Sequence, residues 1–132
     1  MPAKILIVDD EPDIIAILKL TLETKGFTVV TAYDGEECLQ KVEEEAPDLI
    51  MLDILMPKAF GDSVATKIRA NPVTAHTPII FITNLPFQFL SGKQGILENI
   101  NLDSEGNCYL PKSCSEEDLM RAIRTALPNK NS

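Results

Sequence analysis

Cysteine is scarce in this chain, and cationic side chains are outnumbered. The three cysteines, Cys38, Cys108 and Cys114, cannot all pair and none stands in a CxxC spacing. That argues against a disulfide framework and against a thiolate metal site, and they read as reduced thiols of a cytoplasmic protein. The 132 residues carry 12 Lys and Arg against 20 Asp and Glu, a formal net charge of −8. Nucleic-acid binding draws on clustered Lys and Arg to neutralise phosphates, so direct contact with DNA or RNA is not expected. An anionic membrane surface is disfavoured for the same reason. No stretch approaches the roughly 18 apolar residues of a membrane span. The opening Met-Pro-Ala-Lys passes straight to Lys4-Ile5-Leu6-Ile7-Val8-Asp9-Asp10, too short and too soon acidic for a signal peptide. The one histidine, His76, stands beside Thr77-Pro78 and reads as a surface loop residue. Internal repeats, low-complexity tracts and linkers are also missing. The length suits one domain, taken as residues 1–127 with a polar tail over 128–132.

At 45% hydrophobic and 24% charged residues, the chain can bury a true core. Four short apolar runs stand out: Ile5–Val8, Val29-Val30, Leu49–Leu52 and Ile79–Ile82. Three are continuous rather than alternating, as in strands buried on both faces of a parallel sheet. Segments of helical period lie between them. Ile14, Ile15, Leu18 and Leu22 make one stripe, with Pro12 at its start and Gly26 at its end. Asp34 can cap a second helix carrying Leu39 and Val42, closed by Pro47. A third runs from about Gly61 to Ala70, stopped by Asn71-Pro72. Ser115-Glu116-Glu117-Asp118 resembles a capping box for a last helix bearing Leu119, Ile123 and Leu127. Strand and helix alternate throughout, which predicts an α/β layer structure with helices on both faces of a parallel sheet. Between residues 84 and 108, Pro86, Gly92, Gly95 and Gly106 interrupt the pattern. A helix from about Phe87 to Glu98 is expected to be short or irregular, and Leu102–Asn107 reads as a loop.

The chemistry gathers where the apolar runs stop. The first ends in Asp9-Asp10-Glu11, the third in Asp53, the fourth in Thr83, and a short fifth, Cys108-Tyr109-Leu110, in Pro111-Lys112. In an open parallel sheet the carboxyl ends of the strands share one edge, where ligands bind. The carboxylates of Asp9, Asp10 and Asp53, a hydroxyl and an ammonium should therefore converge there. Crowded carboxylates raise one another's pKa unless a cation joins them. Hard oxygen donors without a neighbouring His or Cys suit Mg²⁺. Lys112 is a point charge suited to a phosphoryl oxygen, and a carboxylate can itself be the nucleophile that becomes an aspartyl phosphate. Singly, each residue has a plainer reading: an Asp-Asp pair after a strand is commonly a turn or a cap, Lys112 could merely snorkel, and Tyr109 could fill the core.

Taken in order, KILIVDDEPD, AYDGEECL, PDLIMLDILMP, PIIFIT and YLPK with SEEDL resemble the receiver domain of bacterial two-component response regulators, chemotaxis receivers included. The resemblance runs from Lys4 to about Leu127. It implies a flavodoxin-like (βα)₅ fold, a doubly wound five-stranded parallel sheet in the order 2-1-3-4-5 with five helices. It implies that Asp53 is the phospho-acceptor, taking its phosphoryl group from a histidine kinase or phosphotransfer protein. Mg²⁺ would be held by Asp10 directly, by Asp9 through water, by Asp53, and by the backbone carbonyl of Leu55. Thr83 and Lys112 would contact the phosphoryl oxygens, and Tyr109 would change rotamer with Thr83 as the switch. Such a domain is not a conventional enzyme; it catalyses only its own phosphorylation and dephosphorylation, and its downstream partner is not named by the sequence.

Departures from the family pattern are confined to one side of the chain. Ser113 follows Lys112 where the family has a proline joined by a cis peptide, so this peptide is either strained or trans, with the lysine aimed differently. Asn84 replaces a small residue after Thr83. The segment between Thr83 and Lys112 is longer than usual, which implies an altered fourth helix and an altered signalling face. A haloacid-dehalogenase-type phosphatase would need Asp-x-Asp-x-Thr after the first strand, and Asp9-Asp10-Glu11-Pro12 does not supply it. A receiver fragment of a longer regulator and a phosphorylation-independent interaction module are the remaining alternatives.

Overall fold

The computed structural model describes residues 2–53, 61–83 and 108–127. The described elements are β1 (Lys4–Val8), α1 (Pro12–Thr24), β2 (Thr28–Ala32), α2 (Gly35–Glu45), β3 (Leu49–Asp53), α3 (Gly61–Ala70), β4 (Ile79–Thr83), β5 (Cys108–Pro111) and α4 (Glu116–Ala126). Strand and helix alternate as expected from β1 to β4 and from β5 to α4. The five strands form one sheet in the order β2-β1-β3-β4-β5, and every pairing is parallel.

The continuous apolar runs are explained by a core on each side of this sheet. Ile5, Ile7, Leu49, Met51, Ile80, Ile82 and Leu110 face a core completed by Ile15 and Leu22 of α1 and by Leu119 and Ile123 of α4. Their neighbours Leu6, Val8, Ile50, Leu52, Ile79 and Phe81 face the opposite core, with Cys38 and Val42 of α2 and Val64 and Ile68 of α3. Alternate residues of one strand thus serve two cores, and no position in β3 is left for a polar residue until Asp53.

Local chemistry sets the helix limits. Pro12 stands in the first turn of α1, where its missing N–H costs nothing, and Gly26 follows the helix at φ +97°. The Asp34 carboxylate accepts from the N–H of Glu37 at 2.8 Å and caps α2. Ser115 Oγ accepts from the N–H of Asp118 at 3.0 Å and caps α4. The expected helix over Phe87–Glu98, the loop Leu102–Asn107 and the tail 128–132 lie outside the described residues. No helix among the described residues is long and apolar enough to cross a membrane.

Candidate functional site

Strand register brings the polar chain ends together. Val8 pairs with both Ala32 and Leu52, Asp53 with Ile82, and Thr83 with Pro111. Asp9, Asp53, Thr83 and Lys112 therefore all leave the sheet along one edge. Asp9 and Asp53 are buried, at 0% and 2% exposure, among otherwise apolar strand ends. Asp10 is exposed beside them. Carboxylate oxygens of Asp9, Asp10 and Asp53 all lie within 4.8 Å of one another.

Lys112 joins this cluster. Its Nζ lies 2.8 Å from Asp9 Oδ2, 2.7 Å from Glu11 Oε1 and 3.3 Å from Asp53 Oδ2, and the side chain is only 5% exposed. The Lys112–Ser113 peptide is trans, and the ammonium nevertheless reaches the carboxylates. Asp9 Oδ1 accepts from the N–H of Glu11 at 2.9 Å. Asp9 Oδ2 meets Lys112 as an ion pair, off the angle of a hydrogen bond. An apolar cavity of about 120 Å³, lined by Ile14, Leu18, Met51, Ile82, Cys114 and Leu119, runs beside the Lys112 side chain.

These contacts set the protonation of the site. Burial raises the Asp9 carboxyl above its ordinary value, against the opposing pull of Lys112 and the Glu11 N–H; the charge of Glu11 adds the smallest part. The rise at Asp9 comes mainly from loss of water rather than from the mutual repulsion of crowded carboxylates, and Lys112 opposes it. Burial alone would lower Lys112. Hydrogen bonds to Asp9 and Glu11 and the charges of Asp53 and Asp9 outweigh it and hold the ammonium above its ordinary value.

Among the sequence-derived site residues, the structure gathers Asp9, Asp10, Asp53 and Lys112. Thr83 and Tyr109 are placed by their strands, Thr83 opposite Pro111 and Tyr109 opposite Phe81; their side chains, and all of Leu55, lie outside the described structure. Glu11 is the addition. Its signal was in plain view as the third acid of Asp9-Asp10-Glu11, but nothing local says that it meets a lysine 101 residues away. Among the other residues weighed from sequence, His76 is exposed, and Cys38 and Cys114 are free thiols.

The profile of the response regulator receiver domain matches residues 5–124. The chain belongs to that family. This receiver domain is 46% identical over 83 residues to the alkaline phosphatase synthesis transcriptional regulatory protein PhoP of Bacillus subtilis, covering 63% of this chain and 34% of that protein. It is 38% identical over 129 residues to the probable transcriptional regulator ycf27 of Guillardia theta, covering 97% of this chain and 46% of that one. The receiver domain thus spans a third to a half of the length of these curated relatives. Among solved structures it is similar to the response regulator protein TrrA of Thermotoga maritima, at 33% identity and a TM-score of 0.78, covering 96% of this chain and 100% of that one. Receivers are signalling domains of two-component systems, and the doubly wound sheet in 2-1-3-4-5 order is the fold this chain shares with those neighbours.

Every carboxylate donor gathered here is a hard oxygen, and the oxygens are close enough to share one small divalent cation. The donor set fits Mg²⁺ and offers nothing to a soft metal.

Proposed function

We propose that this receiver is phosphorylated on Asp53 by a histidine kinase or phosphotransfer protein in the presence of Mg²⁺, and that the change alters its binding to a partner. The observation that carries the reading is the contact of a buried Lys112 ammonium with the buried Asp53 carboxylate, 3.3 Å apart beneath an exposed Asp10. An Asp53 oxygen forms the new P–O bond as the donor's P–N bond breaks, and the electron pair leaves on the imidazole nitrogen, so the phosphoryl group moves without net oxidation or reduction. Lys112 turns from the carboxylate to a phosphoryl oxygen, and Thr83, at the adjoining strand end, donates its hydroxyl to another. Asp10 directly, Asp9 through water, Asp53, and the backbone carbonyl of Leu55 would hold the cation. When bound, Mg²⁺ offsets charge on the transferring group. The chain's own chemistry in this reading is its phosphorylation and its dephosphorylation, in which water takes the phosphoryl group from Asp53 and inorganic phosphate leaves.

Thr83 and Tyr109 form the switch in this reading, and the domain extends over residues 1–127 with the tail at 128–132. Support comes from TrrA, solved in complex with Mg²⁺ and BeF. We place the domain in the cytoplasm, where the kinase's donor domain is found. Because the curated relatives are longer proteins, the receiver either works alone or serves an output module encoded with it; the open reading frame beyond Ser132 decides. The direct test is a backbone-amide NMR titration with Mg²⁺ and beryllofluoride. Shifts around Asp53, Thr83 and Tyr109 that Asp53→Asn abolishes support the reading, and an unchanged spectrum overturns it.

A further inference from the structure

An ammonium has three N–H donors, and Lys112 lies 2.7–3.3 Å from oxygens of three carboxylates. Glu11 differs from the other two. Its side chain is 49% exposed, whereas those of Asp9 and Asp53 are 0% and 3% exposed. Glu11 is also the N-cap of α1, a position from which a side chain commonly satisfies a free helical N–H. The Glu11 carboxylate makes no such bond and reaches instead to Lys112 at 2.7 Å. Its own N–H donates to Asp9 Oδ1, so the backbone of Glu11 is fixed by the site it serves.

A phosphoryl group on Asp53 needs one of the Lys112 donors. With Asp9 in the cation-binding set and Asp53 carrying the phosphoryl group, Glu11 is the carboxylate left to compete for the ammonium, and its charge opposes the incoming anion. We propose that Glu11 is a positioning residue that holds Lys112 in the resting protein and releases it when a phosphoryl group arrives, so that it sets the balance between the resting and loaded states. The inference rests on the phospho-acceptor reading of Asp53. Half-exposed ion pairs are worth little individually, so the competition amounts to a change of about two- to fivefold in affinity.

The test is a beryllofluoride titration at saturating Mg²⁺, followed by NMR, of the unsubstituted protein, Glu11→Gln and Asp13→Asn. Glu11→Gln removes the charge and leaves α1 capped as before, since the side chain takes no part in the cap. Asp13 is an exposed acid in the first turn of the same helix and controls for a general field. Glu11→Gln is expected to bind beryllofluoride about two- to fivefold tighter and Asp13→Asn to bind as the unsubstituted protein does. The Lys112 ε-methylene signal should move in resting Glu11→Gln and coincide with that of the unsubstituted protein once both are loaded. Equal or weaker binding by Glu11→Gln, or an equal gain in Asp13→Asn, overturns the role of Glu11 and leaves the phospho-acceptor reading standing. An unsubstituted protein that ignores beryllofluoride overturns both.

Discussion

At the scale of single residues, the crevice is governed by how one ammonium is shared. Asp9 and Asp53 are buried beside Lys112, and a buried carboxylate left without a partner is costly. Removing one member of a buried pair is worth about 3–5 kcal/mol. Lys112→Met should therefore lower the melting temperature of the metal-free protein clearly, and millimolar Mg²⁺ should restore much of the loss by taking over the neutralisation. A melting curve unaffected by Lys112→Met would show that these contacts do not stabilise the fold. A separate residue-scale effect concerns Cys38. Burial, and then the charge of Asp34, push its thiol up to about 12 from an ordinary 9.0. A raised value means that the stabilisation is complete below pH 9 and is lost as the pH climbs toward 12, by a few kcal/mol at the limit. Denaturant midpoints should fall from pH 9 to pH 10.5, and Cys38→Ala should flatten that fall. Above that range the release of Lys112 adds its own loss, since its value is raised as well.

Elements were legible where their signals are local. Asp34 and Ser115 announce α2 and α4 because a cap needs only a side-chain oxygen three residues before a free N–H, and both bonds form. Ser115→Ala should cost about 1 kcal/mol, visible as a lower melting temperature with the sheet intact. Pro12, Gly26 and Asn71-Pro72 set helix limits as their backbone chemistry requires. The end of α2 was less transparent. Pro47 marks the stop, but the left-handed turn falls on Ala46 at φ +46°, a conformation that disfavours a residue with a β-carbon by about 1–2 kcal/mol. Ala46→Gly should raise the melting temperature by a few degrees; a lower value would mean that the turn is better matched to alanine than its φ implies. Glu11 was illegible for the opposite reason: its partner is fixed by strand order, not by neighbouring sequence.

Across the whole molecule, parallel strands bring four separate strand endings to one edge of the sheet. The continuous runs Ile5–Val8, Leu49–Leu52 and Ile79–Ile82 foretold strands with two buried faces, and the two cores bear that out. The meeting of Asp9, Asp53 and Lys112 could be inferred only through that sheet, since no two of them are near in sequence. A cation that binds the folded crevice but not the unfolded chain stabilises the fold by mass action. Mg²⁺ should accordingly raise the melting temperature, and Asp10→Ala should abolish the rise. The same shift in that variant would place the metal elsewhere.

The central claim is that this edge of the sheet accepts a phosphoryl group on Asp53. Its most direct test is the intact mass of the protein after incubation with acetyl phosphate and Mg²⁺, compared with Asp53→Asn treated identically. The expected result is one added phosphoryl group, released by hydroxylamine as an acyl phosphate should be, and none on Asp53→Asn. An unmodified protein, or an adduct that persists in Asp53→Asn, would contradict the account.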